Sequence, residues 1–98
     1  MIRGTTPTIP IDVDIDLREA SSLYITFVQL DTVIIEKTLS DCTIEEEQIS
    51  VTLTQEETLS LNDKHPVYVQ IRAIVGGAVV GSNIMSTDVG KILKEGII

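Results

Sequence analysis

The sequence predicts an all-β fold: a seven-stranded immunoglobulin-like β-sandwich with one short helical turn near residues 55–59. Three observations lead there. Apolar and polar residues alternate at period two along most of the chain, and helical periodicity is nearly absent. The 43% of apolar residues is dominated by Ile, Val and Leu, with Phe27, Tyr24 and Tyr68 the only aromatics, a composition that favours strands. Short polar turns separate the alternating runs at strand-like intervals. With 98 residues the chain is expected to be a single domain, residues 1–98, with its core over 5–93 and a tail over 94–98. The Cys, Trp and Cys markers of antibody domains are missing, and an orthogonal, barrel-like sandwich stays open beside the immunoglobulin-like form.

The first predicted strand is IPIDVDIDL, residues 9–17. Ile9, Ile11, Val13, Ile15 and Leu17 share one parity, and Pro10, Asp12, Asp14 and Asp16 the other. Pro7 and Pro10 cannot donate to a ladder, which marks an edge. REASS, residues 18–22, is a polar break. The next two strands are LYITFVQL, 23–30, and VIIEKTL, 33–39, with Asp31-Thr32 as their turn. Both parities of this hairpin carry apolar residues, so either face can be the buried one. A short strand over Cys42–Glu45 meets QISVTLT, 48–54, across Glu46-Glu47, which sets Ile44 opposite Ile49 and Cys42 opposite Val51. Thr54 followed by Glu57 has the form of a capping box, opening a helical turn at 55–59 that crosses between sheets. The last two strands are PVYVQIRAIV, 66–75, and AVVGSNIMSTDV, 78–89, joined by Gly76-Gly77, a strong hairpin signal. That turn sets Val69 opposite Ile84, Ile71 opposite Ser82 and Ala73 opposite Val80 on one face. Tyr68 then faces Met85, and Ile74 faces Val79, on the other.

Little in the sequence points to chemistry. Same-face carboxylates on a strand stand ~6.6–7 Å apart, and a straight strand cannot wrap three of them round a calcium ion that needs about 6–8 oxygens. Asp12, Asp14 and Asp16 therefore read as a wet, self-repelling edge face. Glu45, Glu46 and Glu47 read as a solvated hairpin tip. His65, the single histidine, lies in a loop composition, NDKHP, and no histidine-based metal site is expected. Cys42, the single cysteine, falls on an apolar parity and reads as a small buried hydrophobe. No nucleophile elbow and no phosphate loop occurs. No catalytic residue, cofactor or metal is expected, and the chain is not read as an enzyme.

The net charge of -8 disfavours binding to nucleic acid or to an anionic membrane surface, and leaves basic protein partners open. No apolar run approaches the ~20 residues of a membrane span, and no signal-peptide core is visible at the N-terminus. The expected location is the cytosol, unless the protein leaves as part of an assembly.

A sharper expectation comes from a resemblance. The segments IRGTTPT (2–8), YITF (24–27), EKTL (36–39), LTQEET (53–58), VYVQIR (67–72) and VGKIL (89–93) resemble small proteins of Gram-positive prophages, encoded in the tail and virion gene region. A looser pattern, L-T-x-x-E-T followed by a strand and a glycine hairpin, is similar to the immunoglobulin-like N-terminal domains of phage baseplate upper proteins. The chain departs from those in carrying no stalk or receptor-binding region, so an accessory or connector subunit is expected. The resemblance implies a non-enzymatic, tail- or baseplate-associated interaction module, made in the host cytoplasm and then carried in a virion, whose partners are other phage structural proteins. The alternative is an acidic, phage-encoded regulator or inhibitor of a host protein. No catalytic residues follow from the resemblance.

The final hairpin is apolar on both sides, against the usual pattern of one polar face per sheet. Tyr68, Ile74, Val79 and Met85 on its second face, with Ile97 and Ile98 of the tail, are the candidate interface. A fold-back of the tail would cover that face in a monomer. Self-association is the favoured expectation, because the tail is short and carries Lys91, Lys94 and Glu95.

Overall fold

Eight strands, one 3-10 turn and one five-residue helix form two antiparallel sheets in a computed structural model that describes residues 1–98. The strands are β1 (Thr8–Asp12), β2 (Ala20–Gln29), β3 (Thr32–Thr38), β4 (Cys42–Ile44), β5 (Gln48–Thr52), β6 (Val67–Val75), β7 (Ala78–Gly81) and β8 (Met85–Thr87). The 3-10 turn covers Leu39–Asp41, and the helix α1 covers Gln55–Leu59. One sheet has the order β1-β5-β4; the other has the order β3-β2-β6-β7, with β8 also paired to β6. Ile11, Ile49, Val51 and Leu53 from the first layer meet Leu23, Ile25, Phe27, Val67, Val69 and Ile71 from the second in one apolar core.

The expected first strand is half as long as the alternation suggests. β1 pairs β5 from Thr8↔Thr52 to Asp12↔Gln48, and one further bond, from the Val13 N–H to the Glu47 carbonyl, ends the ladder. Beyond Gln48 the partner chain turns through Glu46-Glu47, so residues 13–17 have nothing left to pair with. They cross to the other layer instead, and Leu17 plugs the core there. The parity survives the loss of the strand: Asp12, Asp14 and Asp16 are all exposed.

The β2–β3 turn sits on Leu30-Asp31, one residue before the expected Asp31-Thr32. Both residues are left-handed, with φ 51° and 60°, as a type I′ turn demands. Leucine gives no hint of that conformation in sequence, which explains the displaced boundary. A bulge follows, since Phe27 pairs with Ile35 but Val28 pairs with Val33. The open question of which β2 face is buried is resolved as Leu23, Ile25, Phe27 and Gln29 facing inward.

The β4–β5 hairpin has the expected register, Ile44↔Ile49 and Cys42↔Val51. The capping box is also present. The Glu57 N–H donates to Thr54 Oγ1 at 3.2 Å, and the Thr54 N–H donates to Glu57 Oε1 at 2.9 Å.

The last expected strand is two strands, so the count is eight and not seven. Gly76 and Gly77 take φ 57° and 81° and hold the hairpin, and Ile74↔Val79 and Ala73↔Val80 pair as expected. At Ser82 the ladder breaks. Its Oγ accepts the Ile71 N–H at 3.0 Å and its own N–H donates to the Ile71 carbonyl at 2.9 Å, so one serine occupies both sides of Ile71. The register then slips by one residue: Val69 faces Met85 and Tyr68 faces Ser86.

The chain ends meet around α1. Ile2 bridges Gly90 in parallel, and the Arg3 guanidinium donates to the carbonyls of Leu59 and Leu61 while pairing with Glu95 at 2.8 Å. Gly4, at φ 71°, passes so close to Ile92 that a Cβ would lie 3.1 Å from its Cδ1. The tail closes on the helix through Gln55, whose amide exchanges two bonds with the backbone of Ile98.

Candidate interaction surface

Alternation on the larger sheet fixes two faces. Val67, Val69, Ile71 and Ala73 of β6 point into the core, so Tyr68, Gln70, Arg72 and Ile74 point out. Cross-strand pairing then places Tyr24 beside Arg72, Ser22 beside Ile74, and Ile74 beside Val79. Tyr24 is 47% exposed, Tyr68 46% and Val79 64%. A shallow, open hollow runs between Ser22, Tyr24, Glu36, Arg72, Ile74 and Val79.

The expected interface is brought together only in part. Tyr68, Ile74 and Val79 share the outer face. Met85 does not: the slip at Ser82 turns it onto the core side against Val69, where it is half-buried, and throws Ile84 outward at 65% exposure. Ile97 and Ile98 are exposed too, but the tail is hydrogen-bonded to Gln55 on α1 and pinned through Glu95 to Arg3. Its bonds run to the helix corner, and none runs to the final hairpin. Tyr24, Glu36 and Arg72 are the members of the surface that the sequence reading missed. The signal was present in the parity of LYITF and VYVQIR, which becomes usable once the two strands are known to be neighbours.

Charge on this face is sparse and free of internal pairing. The three ion pairs of the chain are Arg3–Glu95, Arg18–Asp16 and Lys37–Glu57. Lys37 lies on the inner side of β3, 12% exposed, and reaches Glu57 of α1 at 2.7 Å. Burial works to raise the Glu57 pKa, but the bonds from Lys37 and the Thr54 N–H outweigh it and hold the carboxyl below its usual 4.5. Arg72 and Glu36 have no ionic partner.

The acidic segments divide. Asp16 is chelated by Arg18, whose hydrogen bonds bring its pKa to about 2. Asp12 accepts from Gln48, and together they line an open hollow with Glu45, Glu46 and Glu47. No group of three or more His, Cys, Asp or Glu side chains is arranged to hold an ion. Burial pushes the Cys42 thiol up, and it donates to the Thr38 carbonyl. A recess lined by Val13, Leu17, Ile71, Ala73 and Val80 is about 20 Å³, roughly the room one water needs.

Fold and surface together define an all-β, two-sheet sandwich with one uncovered, mixed aromatic and aliphatic sheet face. Comparison with protein-family models, characterised proteins and solved structures finds no match for this chain.

Proposed function

We propose that the chain is a non-enzymatic protein–protein interaction module, a small structural or accessory subunit of a phage tail or baseplate. The observation that carries the reading is the outer face of the larger, five-stranded sheet. It holds Tyr24, Tyr68, Ile74 and Val79 in one exposed surface, and the tail that would have covered it is tied to α1 instead. Apolar surface presented in this way on a small domain marks a contact site.

The connectivity supports an immunoglobulin-like frame. β1, β5 and β4 take the places of strands B, E and D, and β3, β2, β6 and β7 those of C′, C, F and G. In this reading strand A has no counterpart, strand G is split by the bulge at Ser82, and α1 is the corner between E and F. The phage assignment rests on the resemblance of IRGTTPT, EKTL, LTQEET and VGKIL to prophage tail-region proteins.

The test is fractionation of phage particles from an induced lysogen carrying the gene, with the chain followed by antibody. The expected result is a fixed number of copies per particle in the tail fraction. A chain that stays wholly in the soluble lysate would overturn this reading and favour the acidic regulator.

A further inference from the structure

We propose that the partner of the larger sheet's outer face is a second copy of this chain, docked face to face about a two-fold axis along the midline between β2 and β6. The proposal rests on the reading of that face as an interaction surface, and it names the occupant.

Charge decides the partner. Each copy carries a net charge of -8, so two copies repel in most orientations. The five strands of the larger sheet contain only three charged residues, and Lys37 is turned inward to Glu57. Glu36 and Arg72 are left on the outer face, and they cancel. The rim of the other sheet, by contrast, gathers Asp12, Glu45, Glu46 and Glu47. The outer face of the larger sheet is therefore the approach on which like-charge repulsion costs least.

Geometry then makes the face complementary to itself, as a two-fold contact requires. Rotation about the midline lays β2 of one copy over β6 of the other, and β3 over β7. Tyr24 and Arg72 are direct neighbours across β2 and β6. Each Tyr24 ring consequently lands on the second copy's Arg72, twice over, a cation against an aromatic face. Glu36 is paired with Thr26, two residues along from Tyr24. It comes down one strand aside of the same guanidinium and supplies the carboxylate that Arg72 lacks in its own chain. Ile74 and Val79 flank this centre.

Size sets the strength. Four strand positions ~4.8 Å apart, the last shared by β7 and β8 along β6, and ~8 residues long cover about 19 by 26 Å, or roughly 500 Å² a side. That is the small end of specific interfaces and implies a reversible dimer rather than an obligate one.

The experiment is sedimentation equilibrium of the full chain over a hundredfold concentration range, for the wild type, Arg72→Glu, Glu36→Arg and the double variant. Circular dichroism confirms that each folds, as exposed positions allow. The wild type should dimerise. Each single swap sets like charges against each other and should weaken the dimer about tenfold or more. The double swap should recover most of that loss, because the opposite signs again meet across the axis. A wild type that is monomeric throughout, or swaps that leave the dimer unchanged, or a double variant no better than the singles, overturns the proposal. None of these outcomes touches incorporation into particles, which tests the broader reading separately.

Discussion

Gln29 is the buried polar side chain on which the order of the loop before β6 depends. It is 3% exposed, at the end of β2. Its Nε2 donates to the carbonyls of Asn62 and His65 at 2.8 and 3.0 Å, and its Oε1 accepts the Asn62 N–H at 2.8 Å. Gln29→Leu keeps the volume and removes all three bonds. At a net ~0.5–1.5 kcal/mol for each bond, the loss is about 1.5–4.5 kcal/mol. Leucine returns part of this through its apolar burial, and Asn62 and His65 are exposed residues whose freed groups can turn to water, so about 2 kcal/mol is the working figure. For a domain of this size that lowers Tm by roughly 8–16 °C. Gln29→Glu sharpens the test. Its carboxylate can still accept from Asn62 but faces two carbonyls, which raises its pKa in the folded state. A raised folded pKa means that protonation favours folding, so the Glu variant's deficit should shrink as pH falls through that pKa. Thermal and urea unfolding, followed by circular dichroism between pH 4 and 8, reads both effects. A Leu variant within about 0.5 kcal/mol of wild type, or a Glu deficit that ignores pH, would refute the clamp.

Three further outcomes are expected. Thr54→Ala removes the cap of α1 and should cost about 0.5–2 kcal/mol; an unchanged melting curve would remove the capping box as a stabilising device. Lys37→Met strips Glu57 of its partner and should cost about 1 kcal/mol at neutral pH. Because the folded Glu57 pKa is lowered, that contribution is complete above 4.5 and disappears as pH falls below it, so the wild-type and Met variant melting curves should converge in acid. Millimolar calcium should leave Tm unchanged, and Asp14→Asn should stabilise slightly by easing repulsion; a saturable calcium-dependent rise in Tm that Asp14→Asn abolishes would reveal a cation site.

The local features were legible in the sequence because each has a local cause. Thr54 and Glu57 announce a cap, Gly76-Gly77 a hairpin, and the Cys42 and Ile44 parity a register. What escaped reading depends on distant partners. Asp14 and Asp16 alternate as a strand would, yet β5 runs out at Gln48 and the strand ends with it. Leu30 adopts a left-handed turn that its side chain disfavours, and only the surrounding hairpin compels it. Ser82 slips the register through its bonds to Ile71, and so Met85 and Ile84 exchange faces. The surface suffered most, because Tyr24 and Arg72 become neighbours only through the β2–β6 pairing.

That same pairing governs how the chain must fold. β2 and β6 are the central strands of the larger sheet, yet Val28 pairs with Tyr68 and Leu23 with Ala73, partners 40 to 50 residues apart. Contacts of such separation close late, after local hairpins such as β2–β3 have formed. On the ribosome, at about 5–20 residues per second, β2 waits some 2–10 s for its partner to emerge. During that interval the open side of LYITFVQ is an unprotected strand edge. Misassociation of the nascent chain would begin there, and a chaperone would find its binding segment there.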